Sequence, residues 1–116
     1  MMNTEYILQK QDIIWLDFDP SAGRKIQKRR SAVVVSRDSY AKQTGLIVVC
    51  PITHGQERLK ELGLLIPVLS RKIDGYVNPL QLHTFDFRKR NAQKVDTVDT
   101  MFFQKVVQLY NYIFSE

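Results

Sequence analysis

Residues Ser31-Ala32-Val33-Val34-Val35-Ser36 form a β-branched, almost wholly apolar run, the pattern of a buried strand. Immediately before it stands Arg24-Lys25-Ile26-Gln27-Lys28-Arg29-Arg30, five cations in seven residues. A strand at that point holds these cations, Arg30 above all, at the rim of a rigid element where they suit a bound phosphate. A solvated basic loop serving only solubility explains the same charge, and charge alone does not choose between the two.

Further short apolar runs follow the same style. Ile13 to Phe18 predicts a first strand, closed by the turn residues Asp19-Pro20-Ser21-Ala22-Gly23. Arg37 to Gly45 is polar with a terminal glycine and predicts a short helical turn, and Leu46 to Ile52 predicts a third strand. Pro51 has no N–H for a ladder, so that strand is expected to end or lie on an edge there, delivering Thr53 and His54 into a loop.

Gly55 to Glu61 is charged and aperiodic and reads as a mobile loop flanking a site. Leu64 to Leu69 reads as a strand interrupted at Pro67, Tyr76 to Phe85 holds a fifth strand, and Gln93 to Thr97 allows another. Asp99 is placed to N-cap a last helix from Thr100 to about Phe114, with Phe102, Val106, Leu109, Tyr110 and Ile113 on one face and Phe103, Val107 and Phe114 widening it. That stripe packs on the sheet or on a second subunit. Many short strands and one terminal helix predict a mainly β fold with α, a small curled antiparallel sheet or barrel capped by the helix.

At 116 residues, 44% hydrophobic and 25% charged, the chain suits one domain spanning residues 1–116. The lone Cys50 lies in an apolar strand and reads as a buried structural thiol of a reducing compartment. The amino terminus has no secretory pattern, and no segment reaches the about 18 apolar residues of a membrane span, so a cytoplasmic protein is expected. A net charge of +5 favours a polyanionic partner such as nucleic acid.

Two histidines and one cysteine are too few and too scattered for a zinc site, and no glycine-rich phosphate loop is present, so no metal or cofactor is expected. RNA is cut without metal when its own 2′-hydroxyl attacks the neighbouring phosphorus, which requires a proton acceptor, a proton donor and cations on the crowded phosphate. Arg30 supplies a cation, Thr53 a hydrogen-bond donor, and His54 the side chain best suited to general acid–base work near neutrality. A loop-capping hydroxyl and an exposed imidazole are the plainer readings of Thr53 and His54, and a structural one that of His83.

Taken together, Asp12 to Pro20, Gly23, Arg30 to Ser36 and Pro51-Ile52-Thr53 resemble the MazF/PemK family of toxin endoribonucleases, and the likeness extends over nearly the whole chain. The resemblance implies an SH3-like barrel, a homodimer, an antitoxin partner, and sequence-selective cleavage of single-stranded mRNA that leaves a cyclic phosphate and a 5′-hydroxyl and arrests growth. By position, the family's catalytic arginine falls on Arg30, its catalytic threonine on Thr53, and a glutamine beside its substrate groove on Gln81. Arg24, Lys25, Lys28, Arg29 and Arg88 are the further RNA-binding candidates, drawn from the two basic clusters.

An arginine is a poor base at neutral pH, so Arg30 reads chiefly as a transition-state cation and His54 as the candidate base, although the family does not require a histidine there. The chain also departs from the family pattern: Ser31 follows Arg30 where proline is common, Lys25 replaces a frequent glutamate, and Leu80 stands where some relatives have aspartate. The alternative function is a non-catalytic toxin on the same scaffold, gripping RNA or poisoning a protein target as gyrase-poisoning relatives do. In either case an acidic, partly disordered antitoxin of the MazE/PemI kind is expected over the basic loops.

Overall fold

A computed structural model of the chain describes residues 6–18 and 29–115. The turn at 19–23 and the candidates Arg24, Lys25 and Lys28 lie outside the described residues. In chain order the elements are β1 (Asp12–Asp17), β2 (Arg29–Val34), α1 (Asp38–Thr44), β3 (Leu46–Thr53), α2 (Glu57–Glu61), β4 (Ile66–Pro67), β5 (Tyr76–Val77), β6 (His83–Asp86), β7 (Gln93–Thr97) and α3 (Thr100–Phe114). Among the described residues, seven strands make one antiparallel curled sheet in the order β4-β5-β3-β2-β1-β7, with β6 also on β3. The architecture is mainly β with a capping terminal helix, as expected.

Both faces of the central strands are covered, which explains why their sequences are nearly continuous apolar runs. Ile13, Val33, Val35, Cys50 and Ile52 face α3, meeting Phe102, Phe103 and Val106. Their neighbours Ile14, Leu16, Ala32, Val34, Ile47 and Val49 point to the other face, under Leu8, Ala41 of α1 and Phe87. Asp99 caps α3 as predicted, its Oδ1 accepting the Phe102 N–H at 2.7 Å. The helix stripe is buried only over its first half: Tyr112, Ile113 and Phe114 are exposed.

The sheet has no ladder between its two ends, β4 and β7. Side chains close that seam: Ser70, in the turn after β4, donates to Asp96 of β7 at 2.6 Å, and Lys72 Nζ reaches the Val95 carbonyl at 3.4 Å. The Ser70 hydroxyl also accepts the N–H groups of Lys72 and Ile73, so the turn itself is organised around it. Its hydrogen bond to Asp96 is the largest influence holding that carboxyl below its usual value.

Several local expectations need correction. Pro51 neither ends β3 nor lies on an edge: it is buried, pairs with Ala32, and β3 continues to Thr53. Its carbonyl accepts the Asn78 N–H at 2.9 Å, so its missing N–H points to that same flank of the strand, where β3 passes from pairing β6 (Leu46 to Val49) to pairing β5 (Ile52 and Thr53). Residues 55–61 are not a loop throughout, since Glu57–Glu61 form the helical turn α2, with a Lys60–Glu57 ion pair at 3.1 Å. The strand expected over Leu64 to Leu69 shrinks to two residues, and the Tyr76 to Phe85 strand divides into β5 and β6. A turn between them, at Pro79 and Leu80, is braced by the Leu80 N–H donating to Asn78 Oδ1.

Candidate active site

Strand register brings the two leading candidates together. In the β2–β3 ladder Val34 pairs Val49, Val33 pairs Cys50 and Ala32 pairs Pro51. Carried two residues further, that register sets Arg30 level with Thr53 on one face of the sheet. Both line a cleft of about 350 Å³ with Trp15, Arg29, Ser31, Ile52 and His54. All three predicted catalytic side chains, Arg30, Thr53 and His54, therefore share one cleft.

The backbone beneath the arginines is held by β1, where Asp17 pairs Arg29, Leu16 pairs Arg30 and Trp15 pairs Ser31. Ladder pairing thus orders this segment although serine, not proline, follows Arg30. The two guanidinium groups have different surroundings. Arg29 donates to Asp17 Oδ1 at 2.8 Å, to the Asn91 carbonyl at 2.9 Å and to Gln93 Oε1 at 3.2 Å. Arg30 is exposed, and its Cζ lies 5.5 Å from the centroid of Phe18.

Asp17 is nearly buried and also accepts Asn91 Nδ2 at 2.7 Å. The Asn91 bond first, and Arg29 next, hold its carboxyl below the usual range. Thr53 is half-buried, its hydroxyl donating to the His54 carbonyl at 3.2 Å. His54 is exposed, with Nε2 3.8 Å from Asp74 Oδ2.

An aromatic cluster adjoins the cleft. Phe18 meets both His83 and Phe85 edge-on at 5.0 Å, while the His83 and Phe85 rings are parallel with centroids 5.8 Å apart. Arg90 lies over Phe85 at 4.7 Å and donates to the carbonyls of Asp17 and Phe18, which ties the 87–91 turn to the end of β1. The register that pairs Val49 with His83 and Ile47 with Phe85 places these rings on the Arg30–Thr53 face. The plainer reading of His83 predicted from sequence agrees with its half-buried, ring-packed position, although the ring also borders the surface.

The remaining candidates lie elsewhere. Gln81 is exposed after the 79–80 turn and is not among the residues lining the cleft. Arg88 stacks over Phe87 at 4.7 Å and borders a second cleft with Asn91, Ala92 and Gln93. Sequence reasoning passed over Asp74, Trp15 and the Phe18–His83–Phe85 cluster. The signal for the cluster was alternation, because His83 and Phe85 are two apart on a strand and so share a face. Among the described residues, no group of three or more His, Cys, Asp or Glu side chains is arranged to hold a metal ion, and no helix is long and apolar enough to cross a membrane.

Comparison with known proteins identifies the family. A family model for the PemK-like, MazF-like toxin of type II toxin-antitoxin system matches residues 9–114. The endoribonuclease toxin MazF of Escherichia coli K12 is 31% identical over 97 residues, covering 84% of this chain and 85% of that protein. The endoribonuclease PemK of Escherichia coli is 26% identical over 113 residues, covering 91% and 85%.

Among solved structures, MazF from Deinococcus radiodurans superimposes with a TM-score of 0.80 at 24% identity, covering 95% of this chain and 98% of that one. A MazE–MazF complex from the same organism gives 0.81 at 24% identity, covering 97% and 100%. These two likenesses speak for the fold. The family match along nearly the whole chain, with the relatives in sequence, makes this chain a member of the PemK-like, MazF-like toxins of type II toxin–antitoxin systems.

Proposed function

We propose that this toxin is an endoribonuclease that cuts single-stranded RNA without a metal, by attack of the 2′-hydroxyl on the adjacent phosphorus, leaving a cyclic phosphate and a 5′-hydroxyl. The observation that carries the reading is the common level of Arg30 and Thr53 in one cleft. Among the described residues Arg30 has an aromatic ring beside it and no carboxylate, so its charge is available to the phosphorane-like transition state. Thr53 supplies a hydroxyl to a non-bridging oxygen, and His54 the acid–base nitrogen.

The neighbouring cluster of Phe18, His83 and Phe85 supports the choice of RNA as substrate. Unpaired bases are recognised by stacking on aromatic rings next to cations, a mode that a paired helix does not permit. Selection of a short sequence by such rings, on messages in the cytoplasm, is the sense in which the toxin stops translation. Relatives named endoribonuclease support the same reaction class.

The working form we propose is a homodimer, in which the exposed end of α3 with Tyr112, Ile113 and Phe114 is covered. An acidic antitoxin opposes the basic loops, in keeping with the MazE–MazF composition of the Deinococcus complex. The test is cleavage of a long single-stranded RNA by the purified protein in EDTA beside Arg30→Ala and Thr53→Ala, with product ends mapped. Cuts at a recurring short motif, lost in both variants, are the expected result. Intact RNA with binding retained would replace this reading with the non-catalytic one.

A further inference from the structure

His54 would be an indifferent catalyst if left to rotate in solvent, and the structure places a second group at its side. The β3–β5 register pairs Ile52 with Val77 and Thr53 with Tyr76, so one step further His54 comes opposite Gly75. The approach there is close. A Cβ built on Gly75 would lie 2.8 Å from Ile52 Cγ2, 3.0 Å from the Thr53 carbonyl oxygen and 3.3 Å from His54 Nε2, and its φ of +132° is itself a glycine conformation.

The backbone of the Asp74–Gly75 turn is therefore packed against the catalytic end of β3. Ile73, just before it, is buried; Gly75 accepts the Val68 N–H at 2.9 Å; and Ser70 anchors the turn to Asp96 of β7. From this fixed backbone the Asp74 carboxylate stands 3.8 Å from His54 Nε2. The charged side chains that line the His54 cleft itself are Arg29 and Arg30 of β2, and Asp74 stands at its outside, exposed beside the imidazole.

We propose that Asp74 is a positioning residue for His54: its carboxylate holds the Nε2–H of the imidazole, which leaves Nδ1 as the acceptor of the substrate's 2′-hydroxyl proton. A carboxylate on one ring nitrogen selects the tautomer protonated there and restrains the ring, so the opposite nitrogen keeps its lone pair. Among the described residues no hydrogen bond engages either ring nitrogen, and the Asp74 carboxylate, 3.8 Å from Nε2 with both side chains exposed, comes within hydrogen-bond reach by a small side-chain rotation. In the step so served, the hydroxyl proton passes to Nδ1 while the O2′ pair forms the bond to phosphorus. The P–O5′ bond breaks with its pair on O5′, which takes a proton from water, and the imidazolium returns its proton to solvent.

This assignment rests on the nuclease reading above, and the experiment separates the two. Cleavage rates of the wild type, Asp74→Asn, Asp74→Glu, His54→Ala and the His54→Ala/Asp74→Asn double variant are measured from about pH 5 to about pH 9, and the ring nitrogens of His54 are read by NMR without RNA. Asp74→Asn is expected to lower kcat roughly fivefold with KM unchanged and Asp74→Glu to recover most of it, while in the His54→Ala background Asp74→Asn costs nothing more. Neutral His54 is expected as the Nε2–H tautomer in the wild type and as a mixture in Asp74→Asn.

An equal loss from Asp74→Asn with and without His54, full activity of His54→Ala across the pH range, or a mixed tautomer in the wild type would each overturn the assignment while leaving the nuclease intact. A wild type that does not cut RNA overturns the nuclease reading itself and the catalytic role with it.

Discussion

Asp17 and Arg29 face each other directly in the β1–β2 ladder and join through a 2.8 Å ion pair. The same carboxylate accepts Asn91, and its pKa is held below the ordinary 3.8, chiefly by that bond. A carboxyl that binds its proton less readily when folded adds stability above its unfolded pKa, and that contribution is lost as pH falls through the folded value. Asp17→Asn should therefore lower the Tm at neutral pH, with the gap to wild type closing as pH drops below 3.8. Thermal melts at neutral and acid pH check this, and a gap independent of pH would contradict it.

Neighbouring arginines should behave oppositely. Arg30→Ala removes a cation with an aromatic ring for company, so it should abolish RNA cleavage, a loss of about a hundredfold or more, while leaving the Tm within about a degree or two. Arg29→Ala breaks contacts to Asp17, Asn91 and Gln93 and should lower the Tm clearly. Calorimetry beside a cleavage assay on both variants separates the roles.

Gly75→Ala is expected to cost about 1–3 kcal/mol in urea unfolding. The added methyl group would meet Ile52 Cγ2 and a backbone oxygen, and the φ of +132° resists any side chain. Its cleavage rate should fall as well, because the turn that presses on His54 has to retreat.

Cys50 is fully buried, and burial pushes its thiol up to about 12. In the folded protein it should resist a thiol reagent at pH 8 and react only once urea unfolds the chain. Fast labelling under native conditions would show that β3 opens far more readily than its two-sided pairing implies.

Much of this was legible in the residues. Strands β1 to β3 announced themselves because both of their faces are buried, which leaves uninterrupted apolar sequence, and α3 because Asp99 and the Phe102–Val106 spacing mark its start and inner face. Resemblance pointed to Arg30 and Thr53, and strand register independently sets them level.

Pro51 misled because its missing N–H falls in the handover between two partner strands, an arrangement no single strand reveals. Glu57–Glu61 misled because a helix of about one turn is too short to show a period. Asp74 was invisible for a different reason: its Asp-Gly dipeptide signals a turn, and only the pairing of β3 with β5 brings that turn to His54.

A barrel closed by backbone ladders changes its girth only in whole steps of register. Here the seam is made by side chains of one turn, Ser70 on Asp96 and Lys72 on the Val95 carbonyl, so circumference is set by the length and set of that turn. Insertions or deletions between Val68 and Gly75 would change that circumference while every pairing among β1, β2 and β3 stays in step. Such a seam lets the girth of the fold vary while the strands that carry Arg30 and Thr53 stay undisturbed.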